Sequence, residues 1–152
     1  MKAQDTVGYQ VKTTWQTMVK MYNRLTSQND FSQAVGYVLI NVKKEGIPVT
    51  KIAPLMGIEP TSLSRLLNTM EDKGLIYREK DLKDKRVVNL KLTEKGFELK
   101  KISRKIVIDY NKMINDHISD EEMETFFKVI KKIKKLTCKI GPNGDILPQK
   151  NC

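Results

Sequence analysis

Small polar and cationic side chains follow Gly57 at a spacing that suits hydrogen bonding to a nucleic-acid duplex. Apolar residues three and four apart within 60–73 predict a helix whose inner face is formed by Leu63, Leu66, Leu67 and Met70. The residues left on the outer face or near the N-terminal end are Thr61, Ser62, Ser64, Arg65 and Asn68. Because base edges and phosphates are read through hydrogen bonds, we expect this helix to enter a DNA major groove.

The side chains of this helix suit different contacts. The Arg65 guanidinium can donate two parallel hydrogen bonds to the O6 and N7 atoms of a guanine. Ser62 and Ser64 are candidates for a base edge or a phosphate, and backbone N–H groups near Thr61 can meet a phosphate. The alternative interpretation is that these Ser and Thr residues only cap the helix.

A second cationic cluster is interleaved with two aspartates. Its residues are Lys83, Lys85 and Arg86, alternating with Asp81 and Asp84. Nonspecific phosphate contact would gain nothing from the aspartates. We therefore interpret one of them as orienting Arg86 for a narrow minor groove, whose negative potential attracts arginine. The candidate contacts of this loop are Lys83, Asp84, Lys85 and Arg86, and the alternative is an ordinary solvated hairpin turn.

The periodicity of the chain predicts the elements that must position these residues. Residues 1–8 are polar and are expected to be loose. The first half of the chain is predicted to form a helix over Val11–Leu25, a helix over Ser32–Lys44, a short helix over Lys51–Met56 capped by Thr50, and the helix over 60–73, which Gly74 stops. Two strands are then predicted over 76–80 and 88–92. Two long helices follow, capped by Thr93 and Ser119, and Gly141 and Pro142 end the last of them.

This order predicts a mainly α fold with a small β-hairpin wing, of the α+β class. The short helix, glycine turn, second helix and hairpin together indicate a winged helix-turn-helix. We divide the single compact chain into a winged helix-turn-helix DNA-binding region at 31–93, a helical region at 1–30 and 94–140, and a flexible tail at 141–152.

Length, composition and charge exclude several classes of protein. The chain has 152 residues, a length that suits one globular domain. Its formal net charge of +10 favours a nucleic-acid partner as much as it favours a solvated lysine surface. The longest apolar run, Tyr37–Ile40, is far shorter than the roughly 20 residues that span a membrane. The N-terminus lacks the apolar core of a secretory signal. We expect a cytoplasmic protein without membrane contact, and Cys138 and Cys152 suit a reducing compartment.

The sequence offers no residue set for catalysis, so we expect no enzyme. It has no glycine-rich phosphate loop and no nucleophile with an evident base. The single histidine, His117, has no second histidine or cysteine at ligand spacing, so we expect no metal and no cofactor. A run of lysines near the C-terminus predicts a solvated helix face, with attraction to DNA or a membrane surface as alternatives: Lys128, Lys131, Lys132, Lys134, Lys135 and Lys139.

Two segments resemble the MarR family of regulators. The first resembles that family's DNA-reading helix and comprises Gly57-Ile58-Glu59-Pro60-Thr61-Ser62-Leu63-Ser64-Arg65-Leu66-Leu67 and Met70-Glu71-Asp72-Lys73-Gly74-Leu75-Ile76-Tyr77-Arg78. The second resembles its wing and comprises Asp81-Leu82-Lys83-Asp84-Lys85-Arg86 and Leu90-Lys91-Leu92-Thr93-Glu94-Lys95-Gly96. The family's wing pattern is Asp-x-Arg-Asp-x-Arg. Here Lys83 replaces the first arginine and lacks its planar fork. The motifs cover about residues 50–96, and the order of the flanking helices extends the resemblance to about 10–140.

The resemblance implies a homodimer that represses transcription by binding double-stranded DNA. In relatives the first helix and the last two helices of each subunit interlock, so these are expected to be N- and C-terminal dimerisation helices. The alternative is that they pack only on their own domain. A two-fold dimer would read a pseudo-palindromic operator, and many relatives are released by a small-molecule effector. The alternative function is a winged-helix module that binds protein or RNA without operator specificity.

Overall fold

The computed structural model describes residues 2–141 of the chain. The chain divides into two compact units, the first ending at Val107 and the second beginning at Ile108. The tail predicted at 141–152 lies outside the described residues apart from Gly141, and so does Cys152.

Nine helices and strands form the described part of the chain, besides short 3₁₀ turns. They are α1 (Val7–Thr26), α2 (Gln33–Asn41), β1 (Ile47–Pro48), α3 (Ile52–Met56), α4 (Pro60–Asp72), β2 (Ile76–Lys80), β3 (Val88–Leu92), α5 (Glu94–His117) and α6 (Asp120–Thr137). The mainly α fold with a small wing, predicted from the periodicity, is confirmed.

Several predicted helix ends are wrong. Helix α1 begins at Val7, within the segment expected to be loose, because the Thr6 hydroxyl accepts a hydrogen bond from the N–H of Tyr9 at 3.3 Å. Thr50 does not cap α3, because it lies inside a 3₁₀ turn over Val49–Lys51. In that turn the N–H of Ile52 donates to the carbonyl of Val49. Helix α2 ends at Asn41 because the next residue is already extended, and α6 ends at Thr137.

The sheet has a strand that the sequence did not predict. Its order is β1-β3-β2, and all neighbours are antiparallel. The sequence predicted only a helix end in this region, but Pro48 belongs to β1 and pairs with Asn89. A proline is tolerated here because β1 is an edge strand. The predicted hairpin is confirmed, with Ile76 opposite Leu92 and Lys80 opposite Val88.

The core of the first unit holds α4 by its apolar face. Leu63, Leu67 and Met70 are buried as predicted, and Leu66 is half-buried against them. The other buried apolar residues are Phe31, Val35, Val38, Leu39, Val42, Ile52, Leu75, Ile76, Leu90 and Leu92. Burying one face of α4 in this way leaves its opposite face to solvent.

The start of α5 is fixed to the turn that precedes β2. Thr93 caps α5 as predicted, since its hydroxyl accepts from the N–H of Gly96 at 3.1 Å and donates to the carbonyl of Gly74 at 2.7 Å. Gly74 has a φ of +66°, a left-handed conformation that glycine adopts without strain. These hydrogen bonds connect the start of α5 to the turn between α4 and β2.

The second unit contains the end of α5 and all of α6. The capping box predicted at Ser119 is confirmed, because Ser119 and Glu122 each accept a hydrogen bond from the other's backbone N–H. The backbone N–H and the hydroxyl of Ser119 both donate to the Glu122 carboxylate, and these two hydrogen bonds hold the pKa of Glu122 below its usual value. Apolar side chains of α6 remain exposed here, including Phe126 at 56% and Phe127 at 50%.

Candidate nucleic-acid interface

The turn between α3 and α4 sets the direction of the candidate reading helix. Gly57 has a φ of +62°, and the N–H of Ile58 donates to the carbonyl of Ala53 at 3.4 Å. Pro60 occupies the first turn of α4, where its missing N–H costs no helical hydrogen bond. The chain therefore reverses sharply and begins α4 with its N-terminal end in solvent.

The structure brings the five predicted residues of α4 together on its solvent side. Each of them is exposed: Thr61, Ser62, Ser64, Arg65 and Asn68. The spacings of three and four residues place Thr61, Ser64, Arg65 and Asn68 on one face. Ser62 lies beside that face.

The alternative that the Ser and Thr residues cap α4 is wrong. Glu59 is the N-cap residue, and no side chain accepts a capping hydrogen bond there. The Ser64 hydroxyl instead donates to the carbonyl of Pro60 at 2.9 Å, one turn back. Within residues 2–141, the Arg65 side chain has no hydrogen bond or ion pair. Its five N–H donors are thus directed to solvent.

Asn68 is held by a residue that the sequence analysis missed. Arg78 of β2 donates from Nη2 to Oδ1 of Asn68 at 2.8 Å and from Nη1 to the carboxylate of Glu71. The guanidinium therefore bridges two side chains one turn apart on α4. The sequence has no signal for this contact, because it joins a helix and a strand that periodicity treats separately.

The hairpin loop holds Arg86 in a fixed orientation. Arg86 donates from Nε to Oδ1 of Asp84 at 3.0 Å and from Nη2 to Oδ2 at 3.1 Å, a bidentate pair. The Arg86 side chain nevertheless remains 91% exposed. An aspartate does orient Arg86, as the interleaved charges predicted, and the outer side of the guanidinium stays available.

Asp81 organises the same loop from its other end. Its Oδ1 accepts from the backbone N–H groups of Lys83 at 2.8 Å and Asp84 at 3.1 Å, and its Oδ2 accepts from Nδ2 of Asn89 at 3.0 Å. Asn89 was not foreseen as part of the site. The Lys83 and Lys85 side chains are exposed at the tip.

The pKa values of the loop follow from these hydrogen bonds. The N–H groups of Asp84 and Lys83 lower the pKa of the Asp81 carboxyl, and Asn89 lowers it further. The Arg86 side chain lowers the pKa of Asp84, which in turn raises the pKa of Arg86. Both aspartates are therefore charged at neutral pH. The stabilisation they contribute is present above their usual pKa and is lost as the pH falls through the lowered values.

Replacing Arg86 with alanine should change the two aspartates differently. We expect the pKa of Asp84 to rise part of the way towards its usual value, because the variant loses the side-chain donor but keeps the backbone N–H of residue 86. Asp81 is the internal control, since its donors remain. A carbon-13 NMR titration of both carboxyl groups measures this, and an unchanged Asp84 pKa would contradict the bidentate pair.

A second candidate site in the same unit is a cavity of about 150 Å³ between α1, α2 and the first part of α5. Its wall is mainly apolar and aromatic, with a few polar groups: Trp15, Tyr22, Thr26, Gln33, Gly36, Tyr37, Ile40, Ser103, Ile106 and Val107. A single aromatic ring fits a space of about this size.

In residues 2–141, no three His, Cys, Asp or Glu side chains lie close enough to hold a metal ion. Every helix of that range is too short or too polar to cross a lipid bilayer. His117 donates a hydrogen bond from Nδ1 to the carbonyl of Met113 at 2.8 Å, a local contact at the end of α5. The five lysines within α6 are exposed.

Solved structures of known regulators are similar to this chain. A structure of an S. aureus MepR–DNA complex matches with a TM-score of 0.76 and 25% identity, over 85% of this chain and 96% of that chain. A cysteine-to-serine mutant of MarR from E. coli, complexed with operator DNA, matches with a TM-score of 0.73 and 22% identity, over 84% and 92%. The transcriptional regulator SlyA matches with a TM-score of 0.74 and 21% identity, over 83% and 89%.

The sequence match agrees with the structural one. Residues 42–88 match the model of the MarR family, and this range contains the helix-turn-helix, β2 and the wing loop. The similarity to solved structures extends the agreement to the helices on both sides. Residues 42–88 thus match the MarR family, and the chain shares its winged-helix fold with the MepR and MarR structures.

Proposed function

We propose that this chain is a transcriptional regulator that binds a specific sequence of double-stranded DNA. Residues 42–88 match the MarR family, and a structure with the same fold is that of the transcriptional regulator SlyA. The observation that carries the proposal is the pairing, in one unit, of an exposed polar face on α4 with a wing whose Arg86 is held outward by Asp84. The MepR and MarR structures, both solved with DNA, support the same function.

The two parts of the interface would contact different grooves. Helix α4 enters the major groove, where Arg65 reads a guanine, Thr61, Ser62 and Ser64 contact base edges or phosphates, and Asn68 reads a base. The wing enters the adjacent minor groove, where Arg86 lies in the strong negative potential of a narrow A·T segment. Lys83 and Lys85 contact phosphates on either side, while Asp84 contributes by holding Arg86.

We further propose that the chain acts as a homodimer on a pseudo-palindromic operator and represses transcription. The exposed apolar side chains of α6 support the dimer, since faces with Phe126 and Phe127 half-exposed rarely stay in water. So does the exposed apolar start of α1, with Val7, Val11 and Trp15. The helices at 1–30 and 94–140 would then be the dimerisation region. A dimer covering two half-sites excludes other proteins from that duplex, which would block transcription.

The cavity between α1, α2 and α5 is the proposed site of a small-molecule effector. Trp15, Tyr22 and Tyr37 offer aromatic faces, and Gln33 and Ser103 offer polar groups that can orient a ligand. The volume of about 150 Å³ favours a ligand with one aromatic ring. Because α2 and α5 also form the core behind the reading helix, a ligand here can change DNA affinity.

Selection of bound duplexes from a random library tests the proposed function. We expect enrichment of one pseudo-palindrome with half-sites about one helical turn apart, and two chains per bound duplex by mass measurement. Enriched DNA should then compete at least about 1,000-fold better than random duplex at physiological salt. No preference over random duplex would contradict the proposal and favour the protein- or RNA-binding module. One chain per site would contradict the dimer. Small aromatic acids added to the same assay test the effector proposal, by whether they change the affinity for DNA.

A further inference from the structure

We propose that Arg78 is a positioning residue that holds the Asn68 carboxamide with its NH₂ donor towards the DNA, so that Asn68 selects guanine over adenine in the major groove. This inference rests on the proposed DNA binding and adds a base preference to it. Arg78 belongs to β2, outside the reading helix, and neither the MarR-type motif nor the exposed face of α4 assigns it a role.

The geometry fixes which end of the Asn68 carboxamide faces Arg78. Arginine has only hydrogen-bond donors, so the atom that it contacts at 2.8 Å must be the acceptor Oδ1. The amide donor Nδ2 is therefore the end directed away from the guanidinium. The oxygen and nitrogen of a carboxamide are similar in size and are told apart by their hydrogen-bond partners. Here the partner is a guanidinium, which allows only the oxygen to face it.

A second contact keeps the Arg78 guanidinium in place. Its other amino group, Nη1, is held by the carboxylate of Glu71, one turn further along α4. The side chains of both partners are about one-third exposed, so water screens the pair only in part. Because the planar fork spans Glu71 and Asn68 together, Asn68 is restrained in one orientation before it meets DNA.

A restrained donor end reads a different base from a free carboxamide. A free Asn reads adenine with two hydrogen bonds, one of which its oxygen must accept from the adenine amino group. In this chain the guanidinium already uses one of the two lone pairs of that oxygen, so the adenine amino group would have to approach beside a second, positively charged donor. Guanine offers only the acceptors O6 and N7 in the major groove, which match an Nδ2 donor.

The test is a double-mutant cycle on DNA containing each of the four base pairs at the position that Asn68 contacts. That position is the one whose preference disappears in Asn68→Ala. We expect the wild type to prefer guanine there, and Arg78→Met to lower that preference about three- to tenfold, the range of one hydrogen bond. Because Arg78 acts through Asn68, the double variant should show no greater loss than Asn68→Ala alone.

Two controls separate positioning from loss of structure. Lys80→Met removes a charge from the same strand without touching Asn68, and it should leave the base preference unchanged. Arg78→Lys keeps the charge but cannot bridge both partners, so it should lose the preference as Arg78→Met does. A loss in Arg78→Met that is equal for all four base pairs and adds to that of Asn68→Ala would overturn the proposal, as would a wild-type preference for adenine.

A measurement without DNA keeps the inference separate from the proposed function. In the free protein, NMR couplings should report one χ1 rotamer for Asn68 in the wild type and rotamer averaging in Arg78→Met. A single rotamer in both would overturn the positioning role even if DNA binding holds. If the rotamer responds as expected but the chain selects no DNA sequence, the proposed function fails and the positioning of Asn68 stands.

Discussion

Replacing Gly96 with alanine is expected to lower the free energy of unfolding by about 3 kcal/mol, at the upper end of the range for inserting atoms into a packed site. A Cβ at this position would lie 2.0 Å from the carbonyl oxygen of Leu75. No flexible side chain can give way there, because the opposing atom belongs to the backbone. The same oxygen accepts a hydrogen bond from the N–H of Thr93 at 3.1 Å, so moving it also disturbs the start of α5.

Gly8→Ala is the matched control for this substitution. Gly8 also lies in the first turn of a helix, but a Cβ there would meet nothing within 4 Å. Alanine has the better helix propensity, so we expect Gly8→Ala to be neutral or to stabilise the chain by up to about 1 kcal/mol. Urea unfolding followed by circular dichroism measures both variants. Shifts of the same sign and size would mean that Gly96 does not pack against Leu75.

The local parts of the candidate site could be predicted because their cause lies within a few residues. The apolar spacing of α4 determines which side chains face the core, and with it the exposure of Arg65 and Asn68. Gly57 and Pro60 act through their own backbone preferences. Arg86 and its partner Asp84 are two residues apart, so a hairpin turn brings them together almost regardless of the rest of the fold.

The parts that could not be predicted depend on contacts between distant elements. Gly96 appears in the MarR-like motif, but the reason for a glycine there is the approach of the Leu75 carbonyl. The bridge from Arg78 to Asn68 joins β2 to α4. Strand β1 has only two residues and exists through its pairing with β3, so no local period marks it. The dimer and the DNA contacts of single residues remain predictions.

Replacing Arg65 with alanine is expected to weaken binding to the selected operator by about 1–3 kcal/mol, or about 5- to 150-fold in Kd. Arg65 differs from the other two arginines of the site, because Arg78 is held by Asn68 and Glu71 and Arg86 by Asp84. Within residues 2–141 the Arg65 guanidinium makes no such contact, so both of its edges can be used for a guanine. Little stability should be lost, since the side chain is exposed.

Two further variants separate base reading from charge. Arg65→Lys keeps the charge but loses the planar fork, so it should bind random duplex as the wild type does and lose most of the discrimination for guanine. Arg24→Ala removes the same charge from the exposed last turn of α1, and it should leave the base preference intact. Kd measured against salt concentration distinguishes these effects, because each phosphate contact changes the slope by about 1 and a base contact does not.

The outcome for Arg65 decides the orientation of the whole winged unit on DNA. Helix α4 is anchored by its buried face, so Arg65 can reach a base only if the polar face of α4 lies in the major groove. In that orientation the proposed model places the loop between β2 and β3 beside the duplex, with Arg86 at the neighbouring minor groove. If Arg65→Ala binds the operator as tightly as the wild type, α4 is not the reading helix. The wing would then have to account for sequence preference by itself, although a minor groove distinguishes little beyond A·T from G·C.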